Sequence, residues 1–338
     1  MFVKSSWYVA GALADIGRAP IHRLICEEAI VLYRKQNGEV VAMQDHCPHR
    51  RFALSKGRVE GDKIRCMYHG LLFNASGACT HIPGQDVIPA NLSVRIYPVV
   101  EKYGWVWVWL GEKETVTDLQ ISGFAHNTLS EWKASFGDTA LVADYRLMLD
   151  NAHDFTHVGY VHEATIGSTD VAEAEVKIEH NYKSVQFSRE LHNVQVPPTF
   201  ERLGKFKGKI DRSQIVRYTP PVHVSNEVRI NPAGMLDKSG EYCFVVNNSF
   251  TPESSKSTRY YWSVARNFAV DDHEVGKLLY EEIARAFEED RKVLDIQQSM
   301  LDLENHSVPL RNLKSDQANV LVRNILKRLI AAEHNRVS

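Results

Sequence analysis

Residues 47–69, CPHRRFALSKGRVEGDKIRCMYH, decide how this chain folds, because they hold two cysteine–histidine pairs. The first pair is Cys47 and His49, and the second pair is Cys66 and His69, with sixteen residues between the pairs. Thiolate and neutral imidazole are ligands of zinc and of iron–sulfur clusters. The spacing therefore predicts two short loops that face each other across a metal site.

The arrangement of these four ligands leaves two interpretations. Structural zinc usually takes two cysteines from one segment and two histidines from another. Here each loop gives one Cys and one His, which matches a Rieske [2Fe-2S] cluster, where His replaces Cys on one iron. We therefore favour a cluster with Cys47 and Cys66 on one iron and His49 and His69 on the other, and keep structural zinc as the alternative.

The sequence around the two loops has the pattern of an all-β domain. Apolar runs are short, as in residues 29–33 (AIVLY), and turn-forming residues separate them. The alternation of Trp and Val in residues 104–111 (GWVWVWLG) predicts a strand whose indoles pack in a core. The pattern loosens after this strand, so we predict a cluster domain over 1–115 and a second domain over 116–338.

Composition and charge exclude several classes of protein. The chain has 338 residues, 44% hydrophobic and 24% charged, with a formal net charge of −2, which fits a globular protein of two domains. This charge does not predict nucleic-acid binding, and no apolar run reaches the roughly 18 residues of a membrane span. Five cysteines, an odd number, argue against a disulfide framework. We expect a reducing, cytoplasmic setting.

A second ligand-rich stretch lies at residues 144–163, DYRLMLDNAHDFTHVGYVHE. It holds Asn151, Asp154, His157 and His162 within twelve positions. We predict a helix over 140–161, which places Asn151 and Asp154 on a mainly apolar stripe, where polar groups are costly unless bonded. Two His and one carboxylate with open positions form the ligand set of non-haem Fe(II) oxygenases. The stretch therefore predicts a mononuclear metal site.

The two histidines of this stretch need a break in the helix between them. They are five positions apart, about 140° around an ideal helix, so a straight helix could not aim both at one ion. We expect Gly159 to interrupt the helix and let His162 turn back toward His157.

The third ligand is predicted on a long helix over residues 272–303. Asp290 falls on the apolar stripe of this helix, where an unpaired carboxylate is destabilising and a metal partner removes that cost. Glu289 and Asp295 lie off the stripe and are expected to be solvated.

Residues 172–270 have strand patterns, so we expect a sheet closed by the long helix, with an apolar pocket beside the metal. The sequence has no Gly-rich phosphate loop, so we do not expect a built-in nicotinamide or flavin domain.

With both motifs in place, the chain resembles the oxygenase components of Rieske non-haem iron oxygenases over nearly its whole length. It is most similar to the group of vanillate O-demethylase, dicamba monooxygenase and toluenesulfonate methyl-monooxygenase. The segments that carry the resemblance are CPH (47–49), CMYHG (66–70), GWVWVWLG (104–111), DNAHDFTHVGYVH (150–162) and FEEDRKVLDIQQ (287–298). The resemblance implies an α+β chain, with an all-β Rieske domain followed by a helix-grip catalytic domain.

The resemblance also implies roles for individual residues. The ligands of the mononuclear Fe(II) fall on His157, His162 and Asp290. Asp154 is similar to a bridging carboxylate, which would join His157 to His69 of the partner subunit in a head-to-tail homotrimer. Asn151 is similar to a polar residue that lies near the iron.

The implied function is that of a terminal oxygenase. Electrons would come from NAD(P)H through a separate reductase or ferredoxin, and oxygen from O2 would enter a small aromatic acid. We favour O-demethylation or C–H monooxygenation. Aromatic ring cis-dihydroxylation is the alternative, followed by a Rieske electron-transfer protein without oxygenase activity.

Candidate substrate residues lie on the late strands. Arg259 stands where members of the family tend to have His, and a guanidinium suits a carboxylate or sulfonate. We therefore name Arg259 as a candidate pocket anchor, with a surface ion pair as the alternative. Asn247, Asn248 and Trp262 are further pocket candidates.

Overall fold

A computed structural model describes most of the chain. The described residues are 2–116, 121, 123–167, 169–203, 206, 208–235, 242–303 and 310–337. Their contacts divide the chain into two units, Phe2–Leu119 with Thr251–Ser254, and Gln120–Phe250 with Ser255–Ser338. The domain boundary that we predicted between 115 and 116 stays a prediction. Among the described helices, none is long and apolar enough to cross a membrane.

The first unit is built from short antiparallel strands. They are β1 (Trp7–Ala12), β2 (Ile21–Ile25), β3 (Glu28–Arg34), β4 (Val40–Gln44), β5 (Arg58–Glu60), β6 (Lys63–Arg65), β7 (Leu72–Phe73), β8 (Cys79–His81), β9 (Ile96–Tyr97), β10 (Val99–Lys102) and β11 (Trp105–Trp109). Within the described residues they form sheets with the orders β1-β11-β10, β2-β3-β4-β9 and β5-β6-β7-β8. The first ligand loop joins β4 to β5, and the second joins β6 to β7. The predicted all-β domain is confirmed.

Strand β11 is the central strand of its sheet. It pairs with β1 on one edge and with β10 on the other, and all five of its residues are buried. The indole of Trp109 meets that of Trp7 edge to face, with 5.5 Å between ring centroids. The predicted strand and its packing role are therefore confirmed.

A hydrophobic core lies beneath the ligand loops. Its buried side chains include those of Val31, Tyr33, Met43, Leu54, Ile64 and Phe73. Cys47 and Cys66 belong to the same cluster, so each loop is anchored through its own cysteine. Burying one large apolar side chain stabilises a fold by roughly 1.5–3 kcal/mol, and this core therefore fixes the roots of both loops.

The second unit combines one sheet with helices. Its strands are β12 (Lys133–Leu141), β13 (Lys177–His180), β14 (Val185–Val194), β15 (Ile210–Thr219), β16 (His223–Pro232), β17 (Tyr242–Ser254) and β18 (Ser257–Arg266). Its helices are α1 (Tyr145–His153), α2 (Val158–Val161), α3 (Thr169–Glu173), α4 (Pro198–Arg202), α5 (His273–Leu303) and α6 (Gln317–Val337). The described strands form an antiparallel sheet in the order β12-β18-β17-β16-β15-β14-β13. An antiparallel sheet with helices is the architecture that we predicted for this unit.

Helix α5 packs on the aromatic residues of β18. The rings of Tyr260 and Trp262 lie 4.9 and 5.3 Å from the ring of Phe287, between centroids. The ring of Trp262 also lies 4.9 Å from that of Tyr280. The helix extends over the predicted range to within one residue, and its stripe residues Leu279, Ile283, Ala286, Asp290 and Leu294 are buried.

Our prediction of one helix over 140–161 is wrong. The strand β12 continues to Leu141, and α1 begins only at Tyr145. Asp144 caps this helix, since its carboxylate accepts a hydrogen bond of 2.8 Å from the N–H of Arg146. An N-cap aspartate satisfies an N–H that has no partner inside the helix, which explains why α1 begins there.

The alternation of strand β15 decides which side chains face the interior. Its buried residues are Ile210, Arg212, Gln214, Val216 and Tyr218, and the residues between them are only partly buried. Successive side chains of a strand point to opposite faces. Two polar side chains, those of Arg212 and Gln214, therefore lie on the buried face.

The close packing of β12 against β18 gives a prediction for stability. Gly137 pairs with Trp262, and a Cβ atom at Gly137 would lie 2.3 Å from Cζ2 of that indole. We expect Gly137→Ala to lower the free energy of unfolding by about 1–3 kcal/mol, because the buried indole must move. Urea unfolding followed by circular dichroism measures this change. Gly17→Ala, where a Cβ meets nothing within 4 Å, is the control, and equal effects would contradict the prediction.

Candidate metal centres

The two ligand loops of the first unit share one backbone design. In each loop the N–H of the cysteine donates to the carbonyl five residues later, and its carbonyl accepts from the N–H four residues later. The bonds are Cys47–Phe52 (2.9 Å) and Cys47–Arg51 (2.8 Å), and Cys66–Leu71 (2.9 Å) and Cys66–Gly70 (3.0 Å). The residue four positions after each cysteine has a left-handed φ, +55° at Arg51 and +74° at Gly70. The loops therefore present their ligands in the same way.

The four predicted cluster ligands lie together, with the thiols inside and the imidazoles outside. Cys47 and Cys66 are buried, whereas His49 and His69 are exposed and have 4.5 Å between ring centroids. Burial, with the neighbouring Cys66 thiol, raises the pKa of Cys47 to about 11. A buried thiol pair behind an exposed imidazole pair fits a cluster with one Cys-bound and one His-bound iron.

The second unit brings together the three predicted ligands of the mononuclear site. One ligand atom from each of His157, His162 and Asp290 lies within 4.8 Å of the other two. Oδ1 of Asp290 is 3.1 Å from Nε2 of His162 and 3.5 Å from Nε2 of His157. Two imidazole nitrogens and a carboxylate oxygen that converge in this way fit a facial-triad iron site.

The outer nitrogens of both imidazoles are held by hydrogen bonds. Nδ1 of His157 donates to the main-chain carbonyl of Asp154 at 2.5 Å, and Nδ1 of His162 pairs with Oε2 of Glu289 at 2.8 Å. A donor bond at Nδ1 leaves Nε2 as the lone-pair nitrogen and fixes the orientation of the ring. Both rings are therefore prepared to bind a metal through Nε2.

Our prediction that Glu289 is solvated is wrong. Its Oε2 also accepts a bond of 3.0 Å from Oγ1 of Thr165, so the carboxylate is tied to the segment that carries His162. The periodicity of α5 hid this contact, because Glu289 stands beside the apolar stripe rather than on it. A metal-binding His usually donates its other ring N–H to a carboxylate or a carbonyl. This requirement was the signal that could have revealed the role of Glu289.

The surroundings move the pKa values of the two imidazoles in opposite directions. Burial lowers the pKa of His157, although the Asp290 carboxylate opposes this shift. Burial alone would also lower the pKa of His162, but hydrogen bonds and charge from Asp290 and Glu289 raise it above its usual value. Carboxylates on both sides of His162 therefore make it the more basic ring.

The chain turns before both histidines, and not between them as we predicted. Gly159 lies inside helix α2, so the expected break at this glycine is wrong. The turn comes earlier, at Asp154, which is extended (φ −126°, ψ 108°) and ends α1. Its carboxylate caps the next short turn by accepting from the N–H and Oγ1 of Thr156 at 2.8 and 2.7 Å. Aspartate is one of the strongest capping residues, which explains why the chain breaks here.

Asn151 and Asp154 both contact the triad, Asn151 through its side chain and Asp154 through its main chain. Nδ2 of Asn151 donates to Oδ1 of Asp290 at 2.9 Å and is 3.4 Å from Nε2 of His157. Asp154 reaches His157 through its main-chain carbonyl, whereas its carboxylate bonds to Thr156 through Oδ1. Among the described residues, no hydrogen bond to Oδ2 of Asp154 is found.

A cavity opens beside the triad and contains about 800 Å³ of space not filled by atoms, part of it open to solvent. Its apolar wall includes Met148, Phe155, Phe200, Val224, Phe244 and Phe287. The polar groups at the wall include Arg212, Gln214, Asn226, Asn248 and Tyr260, besides Asn151 and the triad. A mainly apolar pocket with a few polar groups is typical of a site for a small organic ligand.

The structure places three of our candidate substrate residues elsewhere. Arg259 pairs with Asp138 on the neighbouring strand, which is the surface ion pair that we kept as the alternative. Asn247 donates to Oδ1 of Asn127 at 2.9 Å, on the opposite face of β17 from Asn248. Trp262 packs on α5 instead. Side chains alternate along a strand, so Asn248 lines the cavity and Asn247 does not.

Comparison with known families agrees with both centres. A family model described as the Rieske [2Fe-2S] domain matches residues 6–98. A model described as the vanillate O-demethylase oxygenase C-terminal domain matches residues 141–332. The first match confirms a Rieske [2Fe-2S] domain over structural zinc, and the assignment of the four loop residues as its ligands stays a prediction.

Curated relatives match nearly the whole chain. A putative toluene-4-sulfonate monooxygenase system iron-sulfur subunit of Comamonas testosteroni is 35% identical, over 99% of both chains. A vanillate O-demethylase oxygenase subunit of Pseudomonas sp. is 37% identical, over 98% of this chain and 96% of the relative. Both likenesses extend across the two units.

Solved structures have the same fold. Dicamba monooxygenase bound to dicamba has a TM-score of 0.92 and 27% identity, over 99% of both chains. Dicamba monooxygenase with non-heme iron and dicamba has a TM-score of 0.83 and 25% identity, over 99% of both chains. Together with the two metal centres, these likenesses show that the chain belongs to the oxygenase components of Rieske non-haem iron oxygenases, in the family of vanillate O-demethylase oxygenase subunits.

Proposed function

We propose that this oxygenase component inserts one oxygen atom from O2 into a C–H bond of a small aromatic acid, by O-demethylation or methyl monooxygenation. The observation that carries the proposal is the triad of His157, His162 and Asp290 beside a mainly apolar cavity. The second oxygen atom leaves as water, with two electrons and two protons. For a methoxy substrate, the hydroxylated methyl group then leaves as formaldehyde.

Two alternatives have less support. A ring-dihydroxylating function has a relative in a 3-chlorobenzoate-3,4-dioxygenase oxygenase subunit, but this likeness covers only 31% of the chain. A pure electron-transfer role does not require the three converging ligands of the second unit. Relatives named as monooxygenases or O-demethylases match the chain end to end, which favours monooxygenation.

The metals and the protein would have different roles in the reaction. The cluster would supply electrons one at a time, and an iron held by the triad would supply dioxygen activation. The chain itself sets ligand geometry: Glu289 and the Asp154 carbonyl orient the two imidazoles, and Asn151 donates to Asp290. The apolar cavity wall excludes water from the substrate, which limits side reactions.

The electrons would reach the triad from a second copy of the chain. In a head-to-tail homotrimer, Oδ2 of Asp154 would accept the outer N–H of His69 of the partner subunit. The Asp154 carbonyl already holds the ring of His157, so this one residue would contact ligands of both metals. The exposed position of His69 supports such a contact.

The remaining partners follow from the electron supply. The chain would receive electrons from a separate reductase or ferredoxin, which takes them from NAD(P)H. All five cysteines are buried, and no disulfide joins any of them, which supports a cytoplasmic setting. The two units would correspond to a Rieske domain over 1–115 and a catalytic domain over 116–338.

Metal content and product analysis test the proposed function. The purified protein is expected to contain about three irons and two acid-labile sulfides per chain, because the Rieske cluster holds two irons. With a reductase and NADH, methoxybenzoates should release formaldehyde in proportion to O2 consumed. Two irons per chain with no product would favour electron transfer alone, and cis-dihydrodiols would favour ring dihydroxylation.

The contact between Glu289 and His162 gives a prediction for iron binding. We expect Glu289→Gln to weaken Fe(II) affinity roughly 10–100-fold, because the partner that orients the imidazole is weakened. Competition with an iron chelator measures the affinity, and the absorption of the cluster should stay unchanged. Glu288→Gln removes an exposed carboxylate that pairs with Arg291 and serves as the control. An unchanged affinity in Glu289→Gln would rule out this role.

Asp154 gives a prediction for electron transfer. We expect Asp154→Asn to keep a reducible cluster and bound iron but to lower turnover on the order of 100-fold or more, because an uncharged amide is a weaker acceptor than a carboxylate. Single-turnover oxidation of the reduced cluster, in the presence of substrate and O2, measures the step. Asp170→Asn, at an exposed position of α3, is the control. Turnover like that of the wild type would remove the bridging role.

A further inference from the structure

The wall of the active-site cavity carries a buried cation that the iron chemistry does not use. Arg212 lies on the inner face of β15, lines the cavity and is only 6% exposed. Burial lowers the pKa of its guanidinium to about 10, so the group is still a cation at neutral pH. Removing a charge from water costs several kcal/mol unless a partner compensates it.

None of the residues that the structure describes provides such a partner. Within the described part of the chain, Nε and Nη1 of Arg212 are buried without a hydrogen-bond acceptor. The nearest compensating contact is with the ring of Phe200, whose centroid is 5.8 Å from Cζ. The buried Arg189 has one such acceptor, the carbonyl of Val171, although its Nε is also buried without one. Buried polar groups in proteins are nearly always bonded, so the orphaned donors of Arg212 point to a ligand.

A second buried arginine raises the positive potential at this wall. Arg189 lies on β14, and its register partner Gln214 is two residues from Arg212 on β15. Burial lowers the pKa of Arg189, the charge of Arg212 lowers it further, and the Asp154 carboxylate opposes the shift. Two guanidinium groups that repel each other in a poorly hydrated interior are stabilised by an anion placed near them.

Neutral polar groups beside Arg212 are also incompletely satisfied. Gln214 and Asn226 line the same cavity. Nε2 of Gln214 donates to Oδ1 of Asn226 at 3.0 Å, whereas Oε1 of Gln214 is buried without a partner. The Asn226 amide N–H groups have no hydrogen bond to any described side chain. This wall therefore offers donors from two residues, Arg212 and Asn226.

We infer that Arg212 binds the anionic group of the substrate, a carboxylate or a sulfonate on a single aromatic ring. The inference rests on the proposed function and assigns the residues that hold the acid group of its substrate. Asn226 completes the anion site with an amide donor, and the apolar wall takes the ring. A guanidinium fork matches the two oxygens of such an anion, and an apolar pocket that also pairs the charge selects for acids over neutral aromatics.

The first test measures ligand binding rather than turnover. Isothermal titration calorimetry of the full-length holoenzyme uses 3-methoxybenzoate, benzenesulfonate and the neutral 3-methoxybenzamide. We expect Arg212→Met to weaken binding of both anions roughly 100-fold, because a buried charge pair is lost, and to leave the affinity for the amide within about 3-fold. Arg217→Gln, which removes a partly exposed cation from the other face of β15, should change none of these affinities.

A second measurement distinguishes an anion site from a structural role. The ligand-free Arg212→Met variant is expected to melt at a temperature equal to or above that of the wild type, because an uncompensated buried charge is replaced by an apolar group. Arg212→Lys keeps the charge without the fork and should bind the anions with intermediate affinity. It also tests the inference if the Met variant does not fold.

The inference is overturned if Arg212→Met or Arg212→Lys binds the anions as tightly as the wild type does. It is also overturned if Arg212→Met melts lower and loses affinity for the anions and the amide equally. If the wild-type enzyme oxidises neutral aromatics and binds no acid, the anion site is refuted while the oxygenase function stands. If the wild-type enzyme neither binds nor oxidises an aromatic compound of either class, both the anion site and the proposed oxygenase function are refuted.

Discussion

The second unit is organised around a carboxylate buried between two imidazoles. Asp290 is only 6% exposed and faces His157 and His162 from helix α5. An isolated carboxylate at this depth would be strongly destabilising, so the helix, the turn after α1 and the metal must occupy their places together. The long α5 connects the aromatic face of the sheet, through Phe287, to the ligand segment, through Glu289 and Asp290.

The segment that carries the histidines is shaped by capping rather than by glycine. Asp154 ends one helix and begins the next turn, and it uses its carbonyl for His157 and its carboxylate for Thr156. This dual use holds the His157 ring in place. The same residue is therefore both the local structural determinant and the proposed link to a second metal.

The sequence predicted the metal ligands, because residue type and spacing identify them. It missed residues whose role depends on contacts with residues distant in the sequence. The four Cys and His residues of the two loops were found by residue type and spacing. His157 and His162 were found by the density of ligand residues around them, and Asp290 by its place on an apolar stripe. Glu289 was missed because its role depends on a contact with His162 across 127 positions. Arg212 was missed because Arg212 and Gln214 interrupt the apolar alternation of β15, which makes its buried face look solvated.

The two ligand loops of the first unit reach the same conformation with different residues. Gly70 adopts its left-handed φ without a steric cost, whereas Arg51 holds a similar φ with a full side chain, at a cost of about 1–2 kcal/mol. Without its irons, the first loop has more to gain from relaxing than the second. The apoprotein would then keep the Cys66 loop in shape more readily than the Cys47 loop.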